Sequence, residues 1–127
     1  MYNLLILGLG GSLGAISRYL LSEYIQNLFK PTHFPYGTLA VNILGCFVLG
    51  VLTHTAGVKG LLDPQTRLFL MVGFVGAFTT FSTFSVESAS LFQNGQNTAG
   101  MLNILGSNLL GLSFVFIGQS VASQLWK

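Results

Sequence analysis

Charge is what this sequence of 127 residues has least of: 6% of its residues are Asp, Glu, Lys or Arg. A soluble domain carries about a quarter charged residues, so this chain cannot clothe a globular surface in solvated groups. Its formal net charge of +2 is too small to suggest a nucleic-acid partner. Cysteine is almost missing too. Cys46 stands alone in an apolar run, which excludes an intrachain disulfide and offers no thiolate framework for a metal; it reads as a small buried residue. The two histidines, His33 and His54, sit beside connections and lack a third ligand at useful spacing. There is no Ser–His–Asp set, no paired carboxylates and no phosphate-cradling loop, so the sequence does not read as an enzyme.

What is present is apolar: 51% hydrophobic residues and a mean hydropathy of +0.70. The polar remainder is mostly Ser, Thr, Asn and Gly, which can sit inside a helix bundle. That is the profile of an integral membrane protein. Four apolar stretches, residues 4–24, 37–56, 68–92 and 99–122, each come near or above the ~20 residues that cross a bilayer core as a helix. The breakers and most charges lie between them: Lys30, Pro31, His33 and Pro35, then GVKGLLDPQTR, then QNGQNT. Asp63 is expected to cap a helix starting at Pro64, and Thr98 to cap the last span. The first stretch lacks a basic leading region, and Arg18 follows its apolar part, so it reads as a span and not a cleavable leader. The expectation is one all-α membrane domain over residues 1–127 with four transmembrane helices.

Orientation is weakly encoded. Lys59, Arg67 and Lys127 fall on the side of both termini, against Lys30 and, if it reaches that interface, Arg18. Three against one or two is a slight bias under the positive-inside rule, compatible with insertion both ways. An internal echo, NILGCFVLG from Asn42 and NILGSNLLG from Asn103, relates spans two and four. Those spans run in the same direction, so the echo is parallel; an inverted pair would need two antiparallel copies.

At 3.6 residues per turn, positions three and four apart share a helix face. Thr38, Asn42, Gly45 and Cys46 form one small-to-polar stripe, Asn103, Ser107 and Gly111 another, and Gly10, Gly14, Arg18 and Ser22 a third. Close helix packing explains most of these residues. Asn42 and Asn103 ask for more, because a carboxamide at bilayer depth must be satisfied or face water. Arg18 reads first as a structural anchor, second as an electropositive feature that draws anions. Glu87 reads as a charge at a pore mouth, Glu23 as interfacial.

The densest feature is GFVGAFTTFSTFS, residues 73–85. Gly73, Gly76, Thr79 and Thr80 weaken a helix, and a break there frees carbonyls, good ligands for a hard cation such as Na⁺. Phe78, Phe81 and Phe84 follow at spacing three. Ring edges are electropositive and can favour a small anion without a full charge that would hold it too tightly. On spacing alone, packing of the three rings is the stronger reading.

GGSLGAISRY (10–19), GTLAVNILGCFVLG (37–50) and GFVGAFTTFSTFS together resemble the signature motifs of the Fluc fluoride channels, also called CrcB proteins, in matching order through all four spans. The resemblance implies passive, fluoride-selective export across the bacterial inner membrane by an antiparallel, dual-topology homodimer with two pores. Carried over by position, Phe81 and Phe84 would contact fluoride, Asn42 would line the pore, and Ser82, Thr83 and Ser107 would add hydroxyls. Gly76 and Thr79 would give backbone carbonyls to a central structural Na⁺. Glu87 matches the vestibule carboxylate and Arg18 the first-span arginine. Asn103 departs from the family pattern, which has Tyr in many members. The competing reading is a proton-coupled small-anion or multidrug-type carrier. Carriers of this size need a mid-membrane carboxylate, whereas Glu23 and Glu87 lie toward span ends.

Overall fold

The computed structural model describes residues 1–58 and 60–126, all of them helical or in turns and loops, with no strand among them. Lys59 and Lys127, two of the basic residues weighed for orientation, lie outside the described residues. Helix α1 (Tyr2–Leu28) and helix α2 (Tyr36–Gly57) are the first two spans. The third begins as α3 (Pro64–Arg67), continues through a π-helical stretch (Leu68–Val75) and one turn, α4 (Gly76–Phe78), and resumes as α5 (Phe81–Gln93). The last span is α6 (Asn97–Leu125). Four helical stretches are thus long and apolar enough to cross a membrane, their ends lying one to four residues past the bounds expected from hydropathy.

The local signals act as their chemistry requires at two ends. Asp63 caps α3: its carboxylate accepts from the Thr66 N–H at 2.9 Å, with Pro64 at the first helical position. A side-chain hydrogen bond from Thr66 and then this backbone one, both given to the charged form, hold the Asp63 carboxyl below its ordinary value. The α5–α6 connection turns on Gly95, whose φ of 74° suits a residue without Cβ. The Gln96 N–H bonds the Leu91 carbonyl and the Gly95 N–H that of Phe92, a Schellman closure of α5. Thr98 is not the cap of the last span. α6 starts at Asn97 with Gln96 before it and no side-chain cap bond, so Thr98 lies inside its first turn.

Small residues set how closely the spans approach. A Cβ on Gly14 of α1 would run into the backbone carbonyl of Phe74, and one on Gly118 of α6 into that of Phe47. α1 therefore lies against the π-helical stretch and α4, while α2 makes its most extensive contact with α6. α5 leaves α1 and rests on α6. The outward faces of α1 and α6 remain apolar, with Leu9, Leu20, Leu109 and Phe116 exposed, as a lipid-facing surface requires.

Candidate functional site

Between α4 and α5, Thr79 (φ −90°, ψ 157°) and Thr80 (φ −149°, ψ 117°) are extended. Extended backbone cannot continue the i→i−4 ladder, so the polar groups there need other partners. The Thr80 N–H, which an unbroken helix would give to Gly76, donates instead to Asn42 Oδ1 at 2.8 Å. Asn42 Nδ2 donates back to the Thr80 carbonyl at 3.0 Å. Arg18 Nε donates to the Ala77 carbonyl at 3.0 Å. Thr80 Oγ1 accepts the Thr83 N–H and so caps α5. No hydrogen bond reaches the Gly76 or Thr79 carbonyl among the described residues, and Gly76 is exposed. Two unspent carbonyls at the C-terminal end of a helical segment suit a hard cation, although two oxygens are too few to complete its shell.

On the α5 side of the same step a cavity of about 260 Å³ opens, lined by Asn42, Cys46, Thr79, Phe81, Phe84 and Ser107 among others. Phe81 is 79% exposed, and its ring lies 5.7 Å from that of Phe84, centroid to centroid, at 43°. Phe78 points elsewhere. It is 7% exposed and stacks on Phe74 at 6.0 Å, packed in the bundle. Of three rings at equal spacing, the extended step after Phe78 thus assigns one to the core and two to the cavity. Asn42 spends one donor and one acceptor on Thr80, so half of its hydrogen-bonding capacity stays uncommitted at the cavity wall. The N-terminal end of α5 lies at the same wall and favours negative charge.

The remaining expected residues are placed differently. Ser82 and Thr83 do not line this cavity; both hydroxyls lie within hydrogen-bond distance of Thr80 Oγ1, at 3.3 and 3.0 Å. Glu87 borders a second, more polar cavity of about 430 Å³ with Thr38, Glu23, Lys30 and His33. Its Oε1 accepts from the Thr38 hydroxyl at 2.8 Å, and its Oε2 is buried without a partner. Arg18 lines neither cavity and secures the backbone of α4. Thr80, as cap and as partner of Asn42, has no signal in the sequence beyond its place after the glycines. Asn103 is fully buried and bonds Ser88 and Ser107.

A family model described as "CrcB-like protein, Camphor Resistance (CrcB)" matches residues 5–119. The chain belongs to the CrcB family. It is 49% identical over 125 residues to "Fluoride-specific ion channel FluC" of Dehalococcoides mccartyi, covering 98% of this chain and 95% of that one. It is 42% identical to "Fluoride-specific ion channel FluC 1" of Methanosarcina acetivorans, covering 98% and 94%. A third CrcB relative, "Fluoride-specific ion channel FluC" of Rhizobium etli, is 40% identical over 98% of this chain and 99% of its own. Near-complete coverage in both directions makes the likeness one of whole proteins. With four apolar helices, this CrcB protein is a multi-pass membrane protein.

Proposed function

We propose that this protein is a fluoride-selective channel that passively exports fluoride across the bacterial cytoplasmic membrane and thereby lowers its toxicity. The observation that carries the reading is the whole-length likeness to proteins named as fluoride-specific channels. The cavity chemistry supports it. Fluoride is small and strongly hydrated, so a path must replace its water with donors and still release it. Two ring edges, the Asn42 amide and the Ser107 hydroxyl offer partial positive charge with no full cation among them. Ser82 and Thr83 act here through the cap of α5, and Glu87 and Arg18 act away from the ion, at a vestibule and on the backbone.

The finer reading is an antiparallel, dual-topology homodimer with two pores, its third span broken at mid-membrane depth. The exposed Phe81 and Gly76 and the one-sided cavity support it, since a second copy would cover them. A structural Na⁺ would be held by the Gly76 and Thr79 carbonyls, and two copies would double that donor set. The ion would neutralise carbonyl dipoles that no hydrogen bond meets. A proton-coupled carrier is not favoured, because Glu23 and Glu87 border the outer cavity away from the Phe81–Phe84 wall.

Reconstituted protein should release fluoride rapidly from liposomes, read with a fluoride electrode. Phe81→Ile and Phe84→Ile should each slow release by more than about tenfold, as loss of one well-placed site group does. Release no faster than from protein-free liposomes would overturn the assignment. Release that stops when the proton gradient is removed would replace the channel with a carrier.

A further inference from the structure

Asn103 of α6 is 1% exposed, the most deeply buried polar side chain among the described residues. Its orientation is dictated by its neighbours. The Phe84 carbonyl can only accept, so the Ser88 hydroxyl, 2.7 Å away, spends its single proton there. Ser88 Oγ must then accept from Asn103 at 2.9 Å, which places the amide nitrogen on Ser88. Oδ1 is therefore the atom that meets Ser107, and Ser107 must donate across 3.4 Å. That distance is long for an O–H···O bond, which usually measures about 2.5–3.0 Å. The bonds thus assign the Ser88 proton, one Asn103 N–H and the resting position of the Ser107 proton. The one held most weakly belongs to the hydroxyl that lines the Phe81–Phe84 cavity.

We propose that Asn103 is a positioning residue for anion passage. It holds the Ser107 hydroxyl between ions and accepts its hydrogen bond again when the ion leaves. Its N–H, spent on Ser88, keeps Oδ1 turned toward Ser107. An anion beside Ser107 outcompetes the amide oxygen, because hydrogen bonds to charged acceptors are shorter and about twice as strong as neutral ones. The returning contact to Asn103 gives the hydroxyl a resting partner, so release of the ion does not strand a donor. This inference rests on the fluoride reading of the cavity.

The test is fluoride release from liposomes holding wild type, Asn103→Ala, Ser107→Ala and the double variant. Each single change should slow release about tenfold, the upper worth of one hydrogen bond. The double variant should be slowed about tenfold again in total, and not about a hundredfold, since both act through one hydroxyl. Asn103→Asp supplies a second measurement that opens no cavity. The neutral acid can donate to Ser88 and accept from Ser107, whereas the carboxylate can only accept. Its release should approach wild type near pH 6 and fall towards pH 9, within the range that burial can move a carboxyl. The wild-type profile over the same interval is the reference, because His33 and Glu87 border the second cavity in both proteins. Unimpaired release in Asn103→Ala, losses that multiply in the double variant, or an Asn103→Asp profile that matches the wild-type one would each overturn the role of Asn103 and leave the fluoride reading standing. A wild-type protein that passes no fluoride overturns both.

Discussion

Asn42 supplies with one side chain what the interrupted helix withdraws from Thr80, a partner for its N–H. Asn42→Ala leaves that donor and the Thr80 carbonyl short of a partner, a cost of about 1–3 kcal/mol for a group orphaned away from water. Asn42→Asp keeps the acceptor and, while its carboxyl is neutral, a donor as well. Thermal unfolding in detergent should therefore order the melting points as wild type, Asn42→Asp, Asn42→Ala. An alanine variant as stable as wild type would show that the two bonds do not support the step. The residue types at this site were legible: a carboxamide in an apolar span, hydroxyls between phenylalanines, a lone Arg. Their partners were not, because Asn42 and Thr80 meet across 38 positions of sequence and no local pattern records that meeting. Phe78, Phe81 and Phe84 make the limit plain. Equal spacing treats them alike, and only the backbone turn at Thr79 separates the core ring from the two at the cavity.

Between elements, approach distance is the controlling quantity. Because a Cβ on Gly14 would meet the Phe74 carbonyl, Gly14→Ala must push α1 away from the π-helical stretch. Overpacking of this kind costs about 1–3 kcal/mol. Gly11, which faces open space one turn edge away, should accept Ala without loss. Comparing the two melting points checks the geometry, and equal losses would refute it. The α3 cap gives a pH signature. The folded-state pKa of Asp63 is lowered, so its contribution is present above the unfolded value of about 3.9 and is lost as pH falls through the folded one. Wild-type stability should thus decline below about pH 4 more than that of Asp63→Ala, measured by unfolding between neutral and acidic pH. Identical acid limbs would remove the cap from the account. Hydropathy foretold the four spans, and Asp63 with Pro64 foretold one helix start. The π-helical stretch was illegible, since its sequence, LFLMVGFV, carries the same apolar run an α-helix would. The Thr98 cap failed because α6 starts at Asn97, which puts Thr98 inside the first turn and not at the position that caps it.

For the whole molecule, the open wall at Phe81 and the two unspent carbonyls predict a second copy. Light scattering of detergent-solubilised protein should give twice the chain mass of 13.6 kDa. Replacing Na⁺ throughout by a large organic cation should lower both the dimer's melting point and the fluoride release rate. A monomer that conducts, or a dimer indifferent to Na⁺, would refute the respective part. Composition announced the membrane at once, because a chain this poor in charge has no other solvent to suit it. The most extensive helix contact in the chain joins α2 to α6, and the Trp126 indole just beyond α6 donates to the Thr55 hydroxyl near the end of α2. A ribosome delivers α2 early and α6 last, several seconds later at about 5–20 residues per second. Through that interval the α2 face that meets α6 must wait in the bilayer or the insertion machinery without its principal neighbour. A chain halted before α6 is therefore more than a shortened channel: it leaves open to lipid, and to quality-control proteases, the α2 face around Phe47, Gly50 and Thr55 that the final helix covers.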